Sequence, residues 1–103
     1  MTPSPTSRLP GLYDLAVGER LARVREAAAL DDAALQAFTP QGGLTPDLGD
    51  RMIENVVGVY NLPLGIAVNF LVNGREVLVP MAIEEPSVVA GASFMAKLAR
   101  EGG

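Results

Sequence analysis

The stretch AVNFLVNGREVLVPMA, residues 67–82, contains the strongest fold signal in this 103-residue chain. Asn73-Gly74 separates two apolar runs, and this dipeptide favours the two-residue type I′ turn of an antiparallel hairpin. Pairing Val72 with Arg75 sets the register of the two strands. Three further pairs then share one apolar face, which needs a covering element: Phe70 with Val77, Val68 with Val79, and Ile66 with Met81.

Helical patterns precede the hairpin. From about Asp14, four apolar residues recur at helical spacing: Val17, Leu21, Val24 and Ala28. Glu19 and Arg23 are spaced for an i,i+4 ion pair on the same helix. Asp31 can cap a second helix, which is expected to end near Phe38. Leu30 before the cap and Leu35 inside the helix have the arrangement of a hydrophobic staple. Thr45-Pro46 then predicts the start of a third helix, with an apolar stripe of Leu48, Met52 and Val56.

A last helix follows the hairpin. Glu85-Pro86 is expected to open it, because proline is favoured at the first helical position, which places Ser87 one residue inside. Apolar residues follow at helical spacing: Val88, Val89, Ala92, Met95, Ala96 and Ala99. Lys97 and Arg100 complement the dipole of its C-terminal end. The predicted fold class is therefore α+β, with N-terminal helices, a β-hairpin and a final helix.

The first residues differ in composition from the rest. Residues 1–13 are rich in proline, serine and threonine, and they predict an extended N-terminal arm outside the core. Residues 14–103 carry the helical and strand patterns and form the second predicted segment. At 49% hydrophobic residues, the chain has the composition of one packed domain.

Composition excludes several function classes. A net charge of −4 with a single lysine, Lys97, provides no basic patch for nucleic acid. No apolar run approaches the roughly 18 residues that a membrane span needs, so we expect a cytoplasmic protein without a membrane partner. The absence of cysteine and histidine removes the commonest nucleophile, general base and metal ligands, and no metal is expected. No glycine-rich phosphate-binding loop occurs.

Glu84 and Glu85 are the sharpest site candidates, because they lie between an apolar strand and an apolar helix. Desolvation by the strand would favour a protonated carboxyl group that can donate a proton, whereas free helix amides would favour a fixed anion. The alternative is an acidic pair that stabilises the helix start from solvent. Ser87 beside them either meets an anionic ligand or only assists the cap.

A second candidate segment is Glu54 to Gly58, with Asn55 inside it. Gly58, Pro63 and Gly65 interrupt the apolar stretch that follows Glu54. Such punctuation is typical of a binding loop that needs close backbone approach, and equally of tight structural turns. The sequence pattern leaves both interpretations open.

Three motifs occur in a characteristic order: ENVVG at 54–58, NGREVLVP at 73–80 and EEPSVVAGAS at 84–93. Residues 51–101 closely resemble the N-terminal part of the large domain of 3-hydroxy-3-methylglutaryl-coenzyme A (HMG-CoA) reductases of the bacterial class II. Residues 7–24 are similar to the N-terminal arm and first helix of that family, and residues 31–50 match only loosely.

The resemblance implies an oxidoreductase that interconverts HMG-CoA and mevalonate plus CoA, with NADH or NADPH as cofactor. It places the catalytic glutamate on Glu85, where it assists proton transfer at the reacting carbonyl. It places an HMG-binding serine on Ser87, and an active-site or dimer-interface segment on Glu54, Asn55 and Gly58. Glu84 receives no role.

The resemblance also implies that partner residues lie elsewhere. The catalytic lysine, aspartate and histidine and the nicotinamide-binding small domain of the family lie beyond the matched segment, so no cofactor-binding residue is expected in these 103 residues. The chain alone is expected to be an inactive fragment of an enzyme that forms a homodimer or higher homo-oligomer. The alternative is a non-catalytic interaction or dimerisation module that uses the apolar hairpin and last helix.

Overall fold

The computed structural model describes residues 6–102 and has the α+β architecture that the sequence predicts. Helices precede a two-stranded antiparallel sheet, and one longer helix follows it. The elements in chain order are α1 (Val17–Ala28), α2 (Asp32–Gln36), α3 (Pro46–Asp50), β1 (Leu64–Val72), β2 (Arg75–Ala82) and α4 (Val88–Gly102), with 3₁₀ turns at Leu12–Asp14 and Pro40–Gly42.

The N-terminal helix α1 has its predicted apolar stripe but begins at Val17, after the 3₁₀ turn. Val24 is its buried residue. The predicted ion pair of Glu19 with Arg23 is wrong, since neither side chain has an ionic partner among residues 6–102. Instead Arg25 Nη2 lies 2.6 Å from Asp32 Oδ1, in an exposed pair that contributes little to stability.

Both predicted helix caps are confirmed. Asp31 Oδ1 accepts the Ala34 N–H at 2.7 Å, and Thr45 Oγ1 accepts the Leu48 N–H at 3.2 Å. The lengths differ from the predictions, because α2 ends at Gln36 and α3 already ends at Asp50. The predicted stripe of α3 is therefore wrong, and Met52 is 67% exposed in the irregular segment that follows.

The hairpin confirms the predicted turn and the register next to it. Val72 pairs with Arg75, and Phe70 pairs with Val77. Beyond Phe70 the predicted register is wrong by one residue on β1: Ala67 pairs with Val79, Gly65 with Met81 and Ile66 with Pro80. Since a one-residue shift reverses the faces of a strand, the small residues Gly65 and Ala67 share a face with Val79 and Met81.

The cause of the shift is a β-bulge at Val68 and Asn69. Asn69 has a φ of 72°, in the left-handed region, and its N–H donates to the Ser7 carbonyl oxygen at 2.7 Å. The Val68 N–H donates to Ser93 Oγ at 2.9 Å. Both amides are therefore bonded outside the sheet, which is what an inserted residue requires.

The core lies where α4 and the arm cover β1. Ala67 and Ala96 are buried, and a β-carbon at Gly65 would lie 3.1 Å from Val89 Cγ2, so α4 approaches the strand closely. Ser7 is completely buried and Leu9 is buried as well. The expectation that the arm stays outside the core is therefore wrong for these residues; positions 1–5 lie outside the described residues.

Candidate functional site

The junction from Ile83 to Ser87 joins β2 to α4 and carries the first candidate site. The helix begins at Val88, so the expectation that Pro86 opens it, with Ser87 inside, is wrong. Ser87 has a φ of 74°, and its carbonyl oxygen accepts the Gly91 N–H at 2.8 Å. A residue in the left-handed region cannot continue a right-handed helix, so Ser87 is the residue at which α4 starts.

Each of the two candidate segments contains a non-glycine residue with positive φ: Ser87 at 74° and Asn55 at 58°. Such a conformation costs about 1–2 kcal/mol in a residue with a β-carbon, although asparagine tolerates it better than serine. The other non-glycine residues with positive φ have structural roles: Ala29 ends α1, Asn69 forms the bulge and Asn73 lies in the hairpin turn. Local strain is concentrated at functional sites more than elsewhere, which favours the junction as a site.

The carboxylates of Glu84 and Glu85 are exposed. Within residues 6–102 neither has a hydrogen-bond or ionic partner, and the first turn of α4 contains no acidic residue. In this chain the apolar strand therefore does not desolvate them. Both side chains are accessible from outside the described residues.

The second candidate segment is also exposed. Residues 54–58 form no helix or strand, and Val57 is fully exposed. Among the described residues, no hydrogen bond or ion pair connects Glu54, Asn55 or Gly58 with Glu85 or Ser87. The structure thus places each predicted site residue in an irregular, accessible segment, without a direct polar contact between the two segments.

A buried polar cluster, which the sequence did not predict, joins the arm, the bulge, β2 and α4. Arg100 Nη2 donates to Glu76 Oε2 at 2.8 Å, and Nη1 donates to the Asn69 carbonyl oxygen at 3.1 Å. The Ser7 N–H donates to Glu76 Oε1 at 3.0 Å, and Ser7 Oγ donates to the Phe70 carbonyl oxygen at 2.7 Å. The side chains of Arg100 and Glu76 are only 10% and 20% exposed.

The cluster holds Glu76 as an anion. The hydrogen bond from the Arg100 guanidinium, followed by that from the Ser7 amide, lowers the pKa of Glu76 from 4.5 to about 2. Arg100 therefore points into the fold, where its Nε is buried without a partner among the described residues, and pairs with Glu76. No local pattern indicates this contact, since its members are far apart in the sequence.

A cavity of about 1030 Å³ lies between the arm, α1, β1 and α4. Apolar side chains line most of it, and it is bordered by four cationic residues: Arg8, Arg20, Lys97 and Arg100. Neither Glu85 nor Ser87 contributes to its wall. Its lining runs along α4 from Val89 to Glu101, so the cavity reaches the first turn of the helix but not the candidate residues of the junction.

Two other kinds of feature are absent from residues 6–102. No helix in this range is long and apolar enough to cross a membrane. No group of three or more acidic, histidine or cysteine side chains in the same range could hold a metal ion.

Comparison with known proteins agrees with the motif order. The family model for hydroxymethylglutaryl-coenzyme A reductase matches residues 16–103. The 3-hydroxy-3-methylglutaryl-coenzyme A reductase of Archaeoglobus fulgidus is 58% identical over 98 residues, which are 95% of this chain and 22% of that protein. A probable reductase of Borreliella burgdorferi is 47% identical over 48 residues, covering 47% of this chain and 11% of that protein.

Solved structures give the same result. The 3-hydroxy-3-methylglutaryl-coenzyme A reductase of Streptococcus pneumoniae superposes with a TM-score of 0.82 and 36% identity, over 91% of this chain and 23% of that chain. A class II reductase structure from the same organism, bound to NADPH in open conformations, matches equally well over 26% of its chain. The present chain thus spans about a quarter or less of the length of these relatives. It belongs to the hydroxymethylglutaryl-coenzyme A reductase family.

Proposed function

We propose that this segment supplies a catalytic acid and a substrate-binding hydroxyl to an enzyme that interconverts HMG-CoA and mevalonate plus CoA. The observation that carries the proposal is the alignment over 95% of this chain with a reductase at 58% identity. The exposed carboxylate of Glu85 and the strained Ser87 beside it support the same site. Both groups lie between a strand and a helix, the kind of rigid frame that an active site needs.

Within that reaction, Glu85 acts at the carbonyl group that is reduced. A carboxyl group near the carbonyl oxygen can donate a hydrogen bond and then a proton as negative charge develops there. Ser87, two residues later, has an exposed hydroxyl that can hydrogen-bond the HMG portion. The positive φ of Ser87 turns the chain so that the free amides of the first turn of α4 follow directly.

NADH or NADPH is the proposed reductant of the whole enzyme, and the related class II reductase of Streptococcus pneumoniae is bound to NADPH. The residues described here do not form a dinucleotide site of the Rossmann type. Their only sheet is a two-stranded antiparallel hairpin, without the parallel strand, glycine-rich turn and helix that hold a pyrophosphate. We therefore assign this segment to the acyl side of the reaction, and alone it lacks the groups for hydride transfer.

The exposed apolar residues after α3 support a second element of the proposal, a homodimer or higher homo-oligomer. Several large apolar side chains of this segment are exposed: Met52, Ile53, Val57, Tyr60 and Leu62. Contiguous exposed apolar surface of this kind marks protein interfaces. Light scattering of the full-length enzyme is expected to give a multiple of the monomer mass, and a monomer at assay concentration would contradict it.

The direct test of the catalytic assignment compares two neighbouring glutamates in the full-length enzyme. Glu85→Gln removes the proton but keeps the shape of the side chain, and is expected to lower kcat by about 10²–10⁴-fold with a modest change in KM. Glu84→Gln, one residue earlier and equally exposed, is the matched control and should stay near wild type. Near-normal turnover of Glu85→Gln would refute the assignment.

A further inference from the structure

Helix α4 packs along β1 through a series of contacts, in which residues later in the helix contact residues later in the strand. Near the start of the helix, Val89 lies against Gly65. In its middle, Ser93 Oγ accepts the Val68 N–H at 2.9 Å, and the Ser93 carbonyl oxygen accepts from Asn69 Nδ2 at 3.1 Å. The bulge therefore fixes the central turn of the helix through two hydrogen bonds.

Asn69 is the centre of these contacts. Its N–H donates to the Ser7 carbonyl oxygen, its own carbonyl oxygen accepts from Arg100 Nη1 at 3.1 Å, and its side-chain amide donates to Ser93. Its φ of 72° lies in the left-handed region, at the position where the strand register shifts. One residue thus connects β1 to the arm, to the middle of α4 and to its C-terminal end.

The polar contacts, and not the apolar ones, set the position of the helix along the strand. Burial of apolar surface between α4 and β1 is non-directional, so it tolerates a small slide of the helix. Hydrogen bonds do not tolerate such a slide, because they need a narrow range of distance and angle. Because α4 begins directly after Ser87, a slide at Ser93 would move the junction that carries Glu85.

We infer that Asn69 is a positioning residue for Glu85 and Ser87: the bulge locks α4 onto β1 at Ser93 and so fixes where the junction presents both groups. This inference rests on the proposed function of the junction. The distance from Ser93 back to Ser87 is about 9 Å at roughly 1.5 Å per residue, and a helix transmits a displacement over that length rigidly. A misplacement of about 1 Å can cost on the order of 10²-fold in rate.

The test compares two asparagines of the hairpin in the full-length reductase. Asn69→Gly and Asn73→Gly both replace an asparagine with positive φ, 72° and 51°, so glycine accepts the backbone conformation at each position. Of these two asparagines, only Asn69 has a side chain that is bonded to α4 among the described residues, through the Ser93 carbonyl oxygen. The quantities to be measured are kcat per folded enzyme and KM for HMG-CoA, at a temperature well below the unfolding temperature of each variant.

Asn69→Gly is expected to lower kcat by about 10- to 100-fold and to raise KM by a smaller factor, because the displaced junction carries both Glu85 and Ser87. Asn73→Gly is expected to retain wild-type kcat. A purely structural role would lower the unfolding temperature and leave kcat per folded enzyme unchanged, which would overturn the inference.

Ser93→Ala is the second variant, in case Asn69→Gly does not fold. It removes the acceptor of the Val68 N–H, and alanine is the best helix former, so α4 should persist. A smaller but clear fall in kcat supports the inference, and wild-type kcat in Ser93→Ala contradicts it. Failure of the wild-type enzyme to reduce HMG-CoA would instead refute the proposed function itself, a result that the wild-type assay shows before any variant is compared.

Discussion

The two ends of α4 differ in how their polar groups are satisfied. At the C-terminal end, the Arg100 side chain is 10% exposed and donates to Glu76, Asn69 and Ser7. At the N-terminal end, Glu85 is exposed and has no polar partner among the described residues, and Ser87 carries a strained backbone.

This difference separates a stabilising cluster from the proposed site along one helix. Networks of satisfied buried polar groups fix a unique packing, because leaving any member unpaired is costly. Exposed, unpaired and strained groups contribute nothing to that packing, but they are accessible to a substrate or to another part of an enzyme. We therefore expect substitutions at the two ends of α4 to change different measured properties.

The largest effect is expected at the buried end. Arg100→Leu removes the donor to the Asn69 carbonyl oxygen and to Glu76 Oε2, and one unpaired buried carbonyl alone costs about 1–3 kcal/mol. We expect Tm to fall by roughly 10 °C in thermal unfolding followed by circular dichroism. Lys97→Leu is the control, because Lys97 lies in the same part of the helix, is exposed and has no hydrogen bond within residues 6–102. Equal effects of both substitutions would remove the distinction between the ends.

A pH effect should sharpen the same contrast. The pKa of Glu76 is about 2 in the folded chain and 4.5 ordinarily, so the unfolded state binds more protons between these values. The stabilisation from Glu76 is therefore complete above about pH 4.5 and is lost as pH falls towards 2. Glu76→Gln should be less stable than wild type at pH 7, and this gap should narrow below pH 4.5 in urea unfolding.

The control for this pH experiment is Glu26→Gln, on the exposed surface of α1, where the carboxylate has no hydrogen bond or ion pair in the part of the chain that the structure describes. Its stability difference from wild type at pH 7 should be the smaller of the two. A gap between Glu76→Gln and wild type that stays constant from pH 7 to pH 2 would show that the Arg100 contact does not hold Glu76 ionised.

The smallest change in stability is expected at the N-terminal end of α4, at the strained residue Ser87, and there the substitution should stabilise the fold. Ser87→Gly removes a β-carbon from a residue with a φ of 74°, which relieves about 1–2 kcal/mol and is partly offset by the greater freedom of glycine in the unfolded chain. We expect a net gain of up to about 1 kcal/mol in unfolding free energy, together with weaker HMG-CoA binding in the full-length enzyme. Ser93→Gly, inside α4, should destabilise instead. A Ser87→Gly variant that is less stable than wild type would contradict the strain argument.

Local sequence signals predicted the elements whose causes are local. Asn73-Gly74 gave the hairpin turn and the pairing next to it, because a type I′ turn depends on those two residues alone. Asp31 and Thr45 gave helix starts, because each side chain bonds an amide three residues ahead. The motif order likewise gave the family, and with it the proposed roles of Glu85 and Ser87.

The errors share a different cause. The register beyond Phe70 was wrong because Ser7 and Ser93 draw two amides of β1 out of the ladder. The helix start at Pro86 was wrong because Ser87 takes a left-handed conformation that serine does not favour intrinsically. The predicted position of the arm outside the core is wrong because nothing within residues 1–13 indicates that β1 and α4 cover Ser7.

Neighbouring residues and an ordered set of motifs were therefore sufficient to predict the α+β class, the hairpin turn, the two helix caps and the reductase family. The bulge at Asn69, the burial of Ser7 and the pairing of Arg100 with Glu76 depend instead on long-range packing. The physical reason is that a buried polar group takes its partner from whichever element packs against it. Here those partners lie 24 to 93 residues away in the chain, beyond the reach of any local pattern.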